Sequence, residues 1–169
     1  MKSSLNVDSF PKSVIYGEGR EVSVVAERKG NNVAITLGDE LFGPPPFKLP
    51  FCSAMVCPDG SIFVSGTIGL RKSAASGKPE LAGDLEGQTS AAMQIIDAVL
   101  RACNADADDI VKVNIYMTEN TKKRFAQMNK AYLAFWGNRV LPARITTGTT
   151  ALALGASVEI DCIAKASIG

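Results

Sequence analysis

The sequence predicts an α+β fold: a mixed sheet with two helices on one face. Three observations lead there. From Phe51 onward, strand-like and helix-like runs follow the order β-β-α-β-α-β-β. Each helical run carries a single apolar stripe, so both would lie together on one side of a sheet. In the last run Val158, Ile160, Cys162 and Ala164 alternate with Glu159, Asp161 and Ile163, the period of a half-buried strand.

The whole chain sets the bounds for this reading. Its 169 residues are enough for one domain with a hydrophobic core. We divide them into an N-terminal extension, 1–49, and a main domain, 50–169. A formal charge of +1 gives no basic stripe, which disfavours nucleic acid as a partner. No apolar run reaches the length of a membrane span, and MKSSLNVDSFPKS lacks the apolar core of a secretory signal. Cys52, Cys57, Cys103 and Cys162 show no paired spacing and read as reduced thiols. The expected location is the cytoplasm, with the mitochondrion as the alternative. Histidine is absent, which removes Ser-His-Asp and Cys-His catalysis and every histidine-based metal site.

Within the extension, Glu21–Val25 and Asn32–Leu37 read as strands around a Lys29-Gly30-Asn31 turn. Pro44, Pro45, Pro46 and Pro50 then impose an extended connector. Ser53–Val56 and Ser61–Thr67 form a hairpin across Cys57-Pro58-Asp59-Gly60. Leu70–Gly83, with two glycines and Pro79, reads as a loop. Leu85–Cys103 is a helix with Asp84 as its N-cap and Ala92, Ile95, Ile96, Val99, Leu100 and Cys103 on its stripe. After a polar turn at Ala105–Asp109, Ile110–Thr118 is a strand that puts Val111, Val113, Ile115 and Met117 on one side. Thr121–Trp136 is the second helix, with Phe125, Met128, Tyr132, Phe135 and Trp136 on its stripe and Gly137 at its end. Lys122, Lys123 and Arg124 in its first turn read as a solvated basic end.

The stretch 141–164 closes the chain with two strands and a loop. Between Arg144 and Glu159 it holds no other charge. Glu159 points away from the face that Val158 and Ile160 bury, and alternation would set Asp161, Ser65, Asn114 and Tyr116 beside it. Two readings are open. Arg144 could clamp a small carboxylate while Glu159 handles a proton or a water, or the two could be a structural ion pair at a sheet edge. An acid-bearing face that is otherwise partly apolar also points to oligomerisation.

Several segments resemble one family. Pro50-Phe51-Cys52-Ser53-Ala54 and Ile62-Phe63-Val64-Ser65-Gly66-Thr67-Ile68 resemble two of its signatures. Gln88-Thr89, Asp108-Asp109-Ile110-Val111-Lys112, Asn129-Lys130-Ala131-Tyr132, Pro142-Ala143-Arg144 and Val158-Glu159-Ile160 continue the match in order. The family is the Rid or YjgF family of reactive intermediate deaminases, formerly labelled endoribonuclease L-PSP. The resemblance implies a chorismate-mutase-like fold assembled as a homotrimer, with clefts between subunits. It implies hydrolysis of enamines and imines such as 2-aminoacrylate to 2-keto acids and ammonia, with no metal and no cofactor. It matches Arg144 to the family arginine, Glu159 to the family glutamate, Ser65 and Gly66 to the serine-glycine strand, and Asn129 to the helix asparagine. Phe51 stands where the family has a ligand-side tyrosine, Thr146 where it often has cysteine, and Thr67 where it has glutamine. The implied partner is a small carboxylate-bearing imine, enamine or keto acid. The alternatives are a non-catalytic small-carboxylate binder and, more remotely, a ribonuclease.

Overall fold

The structure is a computed structural model that describes residues 5–45 and 48–166. Among these residues ten strands and two α-helices follow in chain order: β1 (Ser13–Tyr16), β2 (Arg20–Lys29), β3 (Asn32–Leu37), β4 (Ala54–Val56), β5 (Ser61–Ile68), β6 (Leu70–Lys72), β7 (Pro79–Leu81), α1 (Leu85–Ala102), β8 (Ile110–Met117), α2 (Lys122–Trp136), β9 (Ala143–Gly148) and β10 (Val158–Lys165). Eight strands make one sheet in the order β1-β2-β3-β4-β5-β10-β8-β9. Every pairing in it is antiparallel except β8 with β9, which is parallel, so the sheet is mixed. Parallel pairing needs a crossover, and α2 supplies it.

Both helices cover one face. From the sheet, Ile62, Val113, Ile115, Ile160 and Cys162 are buried, and they join Ile96 and Leu100 of α1 with Met128, Tyr132 and Trp136 of α2 in one core. The expected α1 stripe is buried throughout, because residues three and four apart share a helix face. Asp84 caps α1 by accepting from the Gly87 N–H, and Thr121 caps α2 by accepting from the Arg124 N–H. Gly137 ends α2 at φ +57°, a conformation glycine adopts at no steric cost. The Gln88-Thr89 pair serves the fold. Gln88 is buried; its amide donates to the Gly83 carbonyl and accepts from the Ser157 N–H, tying α1 to the start of β10.

The N-terminal hairpin forms as expected, and β2 runs well beyond Glu21–Val25. Its first half, Arg20–Ser23, pairs with β1, which the sequence reading did not foresee; its second half, Val24–Lys29, pairs with β3. Phe10, Val14, Val22, Val33 and Ile35 belong to the same core as the main domain. Arg101 of α1 donates to the Ile15 carbonyl and Asn104 to that of Ser9, which fastens this segment over α1. Pro44, Pro45 and Pro50 lie outside helix and strand, as a connector requires, whereas Pro46 falls outside the described residues.

Two expectations need correction. Leu70–Gly83 is not a plain loop: β6 and β7 pair within it as a ribbon, held by an Arg71–Glu80 contact at 2.8 Å. Val111 does not share a face with Val113. It is 51% exposed while Ile110 is buried, because the β8–β10 register slips between Ile163 and Ala164. One extra residue reverses every side chain beyond it.

Candidate functional site

Arg144 lies on edge strand β9, opposite Val113 of β8. Val113 points into the core, so Arg144 shares the helix-covered face, as does Thr146 opposite Ile115. The guanidinium meets α2 there. Nη1 donates to Oδ1 of Asn129 at 2.8 Å, and Cζ stands 4.8 Å from the Tyr132 ring centroid and 5.6 Å from that of Phe125. Phe125, Asn129 and Tyr132 are one helix turn apart in succession, so a single face of α2 presents all three. No carboxylate pairs with Arg144 among the described residues. A guanidinium seated on aromatic faces, with one amide contact, keeps donors free for an anion. Beside it opens a cavity of about 200 Å³ lined by Asn129, Tyr132, Leu133, Leu141, Pro142 and Arg144. The Thr146 hydroxyl oxygen is buried and has no hydrogen-bond partner among the described residues.

Glu159 lies on the other face. It sits opposite Tyr116 of β8 and Ile68 of β5, while its neighbours Val158 and Ile160 are buried on the helix side. The β5–β10 register slips where Ser65 and Gly66 together oppose Asp161, a bulge. The Glu159 side chain lies over Gly66, where any Cβ would collide with its Oε1. Burial pushes the Glu159 carboxyl above its ordinary pKa, and the neighbouring Asp161 adds to the shift. Asn114 donates to Asp161 at 2.7 Å, and Asp161 in turn pushes the Tyr116 phenol up. The Ser65 hydroxyl donates to the Cys52 carbonyl at 2.7 Å, which brings Phe51, 54% exposed, next to the same bulge.

The predicted residues therefore form two groups. Arg144, Asn129 and Thr146 gather on the helix side of the β9 edge; Glu159, Gly66, Ser65 and Phe51 gather around the open side of β5 and β10. A sheet separates Arg144 from Glu159, so the two are not an ion pair within the chain. The sequence reading missed Leu133, Leu141 and Pro142 as lining residues and took Phe125 and Tyr132 only as packing. The spacing of Phe125, Asn129 and Tyr132 was the available signal.

Other features offer less. A wider hollow of about 450 Å³ is walled only by the turn Tyr16–Arg20. The basic start of α2 leaves Lys122 and Lys123 exposed, while Arg124 pairs with Glu119 at 3.6 Å. Burial holds the Cys103 and Cys162 thiols at about 12, far from thiolate reactivity. No cluster of three or more His, Cys, Asp or Glu side chains suited to a metal occurs among the described residues. No helix among them is long and apolar enough to cross a membrane.

The mixed sheet with two helices on one face is the chorismate-mutase-like architecture of the YjgF/Rid proteins. The family profile described as Endoribonuclease L-PSP matches residues 46–166, and the chain belongs to that family. A RutC family protein of Aquifex aeolicus is 36% identical over 110 residues, 63% of this chain and 81% of the relative. Reactive Intermediate Deaminase A, chloroplastic, of Arabidopsis thaliana is 31% identical over 103 residues, 61% of this chain and 52% of that protein. The crystal structure of an endoribonuclease L-PSP-type protein of Entamoeba histolytica superposes with a TM-score of 0.64 at 30% identity, covering 78% of this chain and 98% of that one.

Proposed function

We propose that this protein hydrolyses reactive enamines and imines that carry a carboxylate, giving 2-keto acids and ammonia. One observation carries the reading: Arg144 is a charged side chain fixed by Asn129, Tyr132 and Phe125, yet no carboxylate among the described residues neutralises it. Its planar fork suits a substrate carboxylate bidentately, which a lysine would not reproduce. The kinship with a chloroplastic reactive intermediate deaminase supports the reaction class.

Arg144 and Glu159 occupy opposite faces of one sheet, so a site that uses both is completed between subunits. We therefore place the reaction in the clefts of a homotrimer, with Arg144, Asn129 and Thr146 from one subunit and Glu159, Gly66, Ser65 and Phe51 from the next. There the Arg144 clamp fixes the imine carbon. Glu159 orients a water and takes its proton as the oxygen adds to that carbon. That proton passes to the nitrogen to give a carbinolamine; the hydroxyl proton of the carbinolamine then follows the same route through Glu159, the C–N bond breaks, and ammonia leaves as the carbonyl forms. A carboxyl with a raised pKa suits both halves of this exchange, since general catalysis is most effective near the working pH. We assign binding of the leaving nitrogen to the Ser65 and Thr146 hydroxyls. The expected compartment is the cytoplasm, with the mitochondrion as the alternative.

A second reading is a small-carboxylate binder without turnover, favoured by Phe51, which has no hydroxyl where the resemblance expects one. Ribonuclease activity, the sense of the family's older label, has less behind it: a net charge of +1 and no histidine leave neither a phosphate-binding field nor an imidazole base.

The deciding experiment generates imines with an amino-acid oxidase and follows 2-keto acid release in competition with semicarbazide. Wild type should accelerate release. Arg144→Ala should lower kcat/KM roughly a hundredfold or more, because charged hydrogen bonds contribute about 1.5–3 kcal/mol each. No acceleration by wild type across alanine-, leucine- and aromatic-derived imines would leave the binding reading. Activity that survives Arg144→Ala would displace the site.

A further inference from the structure

A clamp for a carboxylate needs Arg144 and Asn129, but the cavity beside them has a second character. Leu133 from α2 and Leu141 with Pro142 from the following loop line it alongside the polar pair. Leu133 is 50% and Leu141 51% exposed, so neither is in place to fill the core. A single exposed leucine needs no explanation. Here two of them, on different elements, converge with a proline on one hollow whose other wall is a guanidinium. The result is a receptor that is charged at one end and hydrocarbon at the other. Its volume of about 200 Å³, below the roughly 300–1,000 Å³ of pockets that enclose drug-sized ligands, matches a small acid.

We propose that Leu133, Leu141 and Pro142 form the side-chain subsite of the Arg144 site, selecting acids with aliphatic side chains of leucine or methionine size over those with a methyl or hydroxymethyl group. This rests on the reading of Arg144 as the carboxylate anchor. The wall covers only part of the hollow, so the discrimination belongs at the lower end of the ~10- to 200-fold range that a methylene difference yields in an apolar pocket. Tyr132 also lines the hollow, and its ring holds the guanidinium at the polar end.

The test titrates the full-length protein calorimetrically with pyruvate, 2-oxobutanoate and 2-oxo-4-methylpentanoate. It is repeated with Leu133→Gln, Leu141→Gln and Arg144→Ala, each checked for folding by circular dichroism. Affinity should rise about tenfold from the shortest to the longest acid, and each leucine substitution should shrink that ratio toward one. Both leucines are half-exposed, so these variants should fold. The same ratio should appear in kcat/KM for alanine- and leucine-derived imines. Binding that depends on Arg144 but is flat along the series, or a slope untouched by both leucine substitutions, would overturn the subsite and leave the anchor standing. Loss of no affinity in Arg144→Ala, or no binding of any keto acid, would overturn the anchor and the subsite together.

Discussion

Arg144 shows how a guanidinium can be held in place with no ion pair among the described residues. Aromatic faces and one amide oxygen hold it, contacts worth about 0.5–2 kcal/mol for a cation over a ring, and none of them consumes its whole fork. Gly66 does the matching work for Glu159 by leaving room over the backbone. In Gly66→Ala the new Cβ would meet the far end of a flexible side chain, so the carboxylate should swing away while the fold adjusts. We expect imine hydrolysis to fall at least tenfold, as when a positioned general base is lost. The melting temperature should stay within a few degrees, measured by calorimetry on the same samples. A large drop in melting temperature would show that Gly66 serves packing instead. These candidate residues could be picked out of the sequence, but their grouping could not. Arg144 and Asn129 are joined across a helix, a loop and a strand, and only the parallel register of β9 on β8 fixes which face Arg144 takes.

Where the elements follow a steady period, sequence and structure agree. The α1 stripe, the β10 alternation and the turn at Cys57–Gly60, with Gly60 at φ +84°, all come out as read. Agreement ends where the period breaks. The β8 slip exposes Val111, and the β5 bulge at Ser65–Gly66 turns a regular strand into the floor beneath Glu159. The β6–β7 ribbon escaped notice because three-residue strands are too short to show alternation. Gly69, between β5 and β6, makes a strict demand of this level. A Cβ there would collide with the Gln88 carbonyl and Cα at the start of α1, and helix backbone has no room to yield. Gly69→Ala should cost about 1–3 kcal/mol, the usual range for overpacking, read as a lower denaturation midpoint with an unchanged slope. A neutral result would mean that α1 can shift away from β5 at little cost.

At the scale of the molecule, one sheet face is finished and the other is not. Helices cover the first. The second leaves Phe63 and Ile145 exposed on the strands that flank Glu159, Asp161, Asn114 and Tyr116, with Val25 exposed farther along on β2, apolar surface of the kind interaction faces carry. The N-terminal strands lengthen this sheet at the edge away from β9, so they leave the edge that carries Arg144 uncovered. The placement of Arg144 and Glu159 on opposite faces has a genetic consequence. If each cleft joins the arginine of one chain to the glutamate of the next, two dead alleles rescue each other. Arg144→Ala and Glu159→Gln subunits, each inactive alone, should regain activity when unfolded and refolded together in equal amounts, since about a quarter of randomly assembled clefts would then receive both intact residues. Clefts built within single chains would show no such complementation, however long the alleles were mixed.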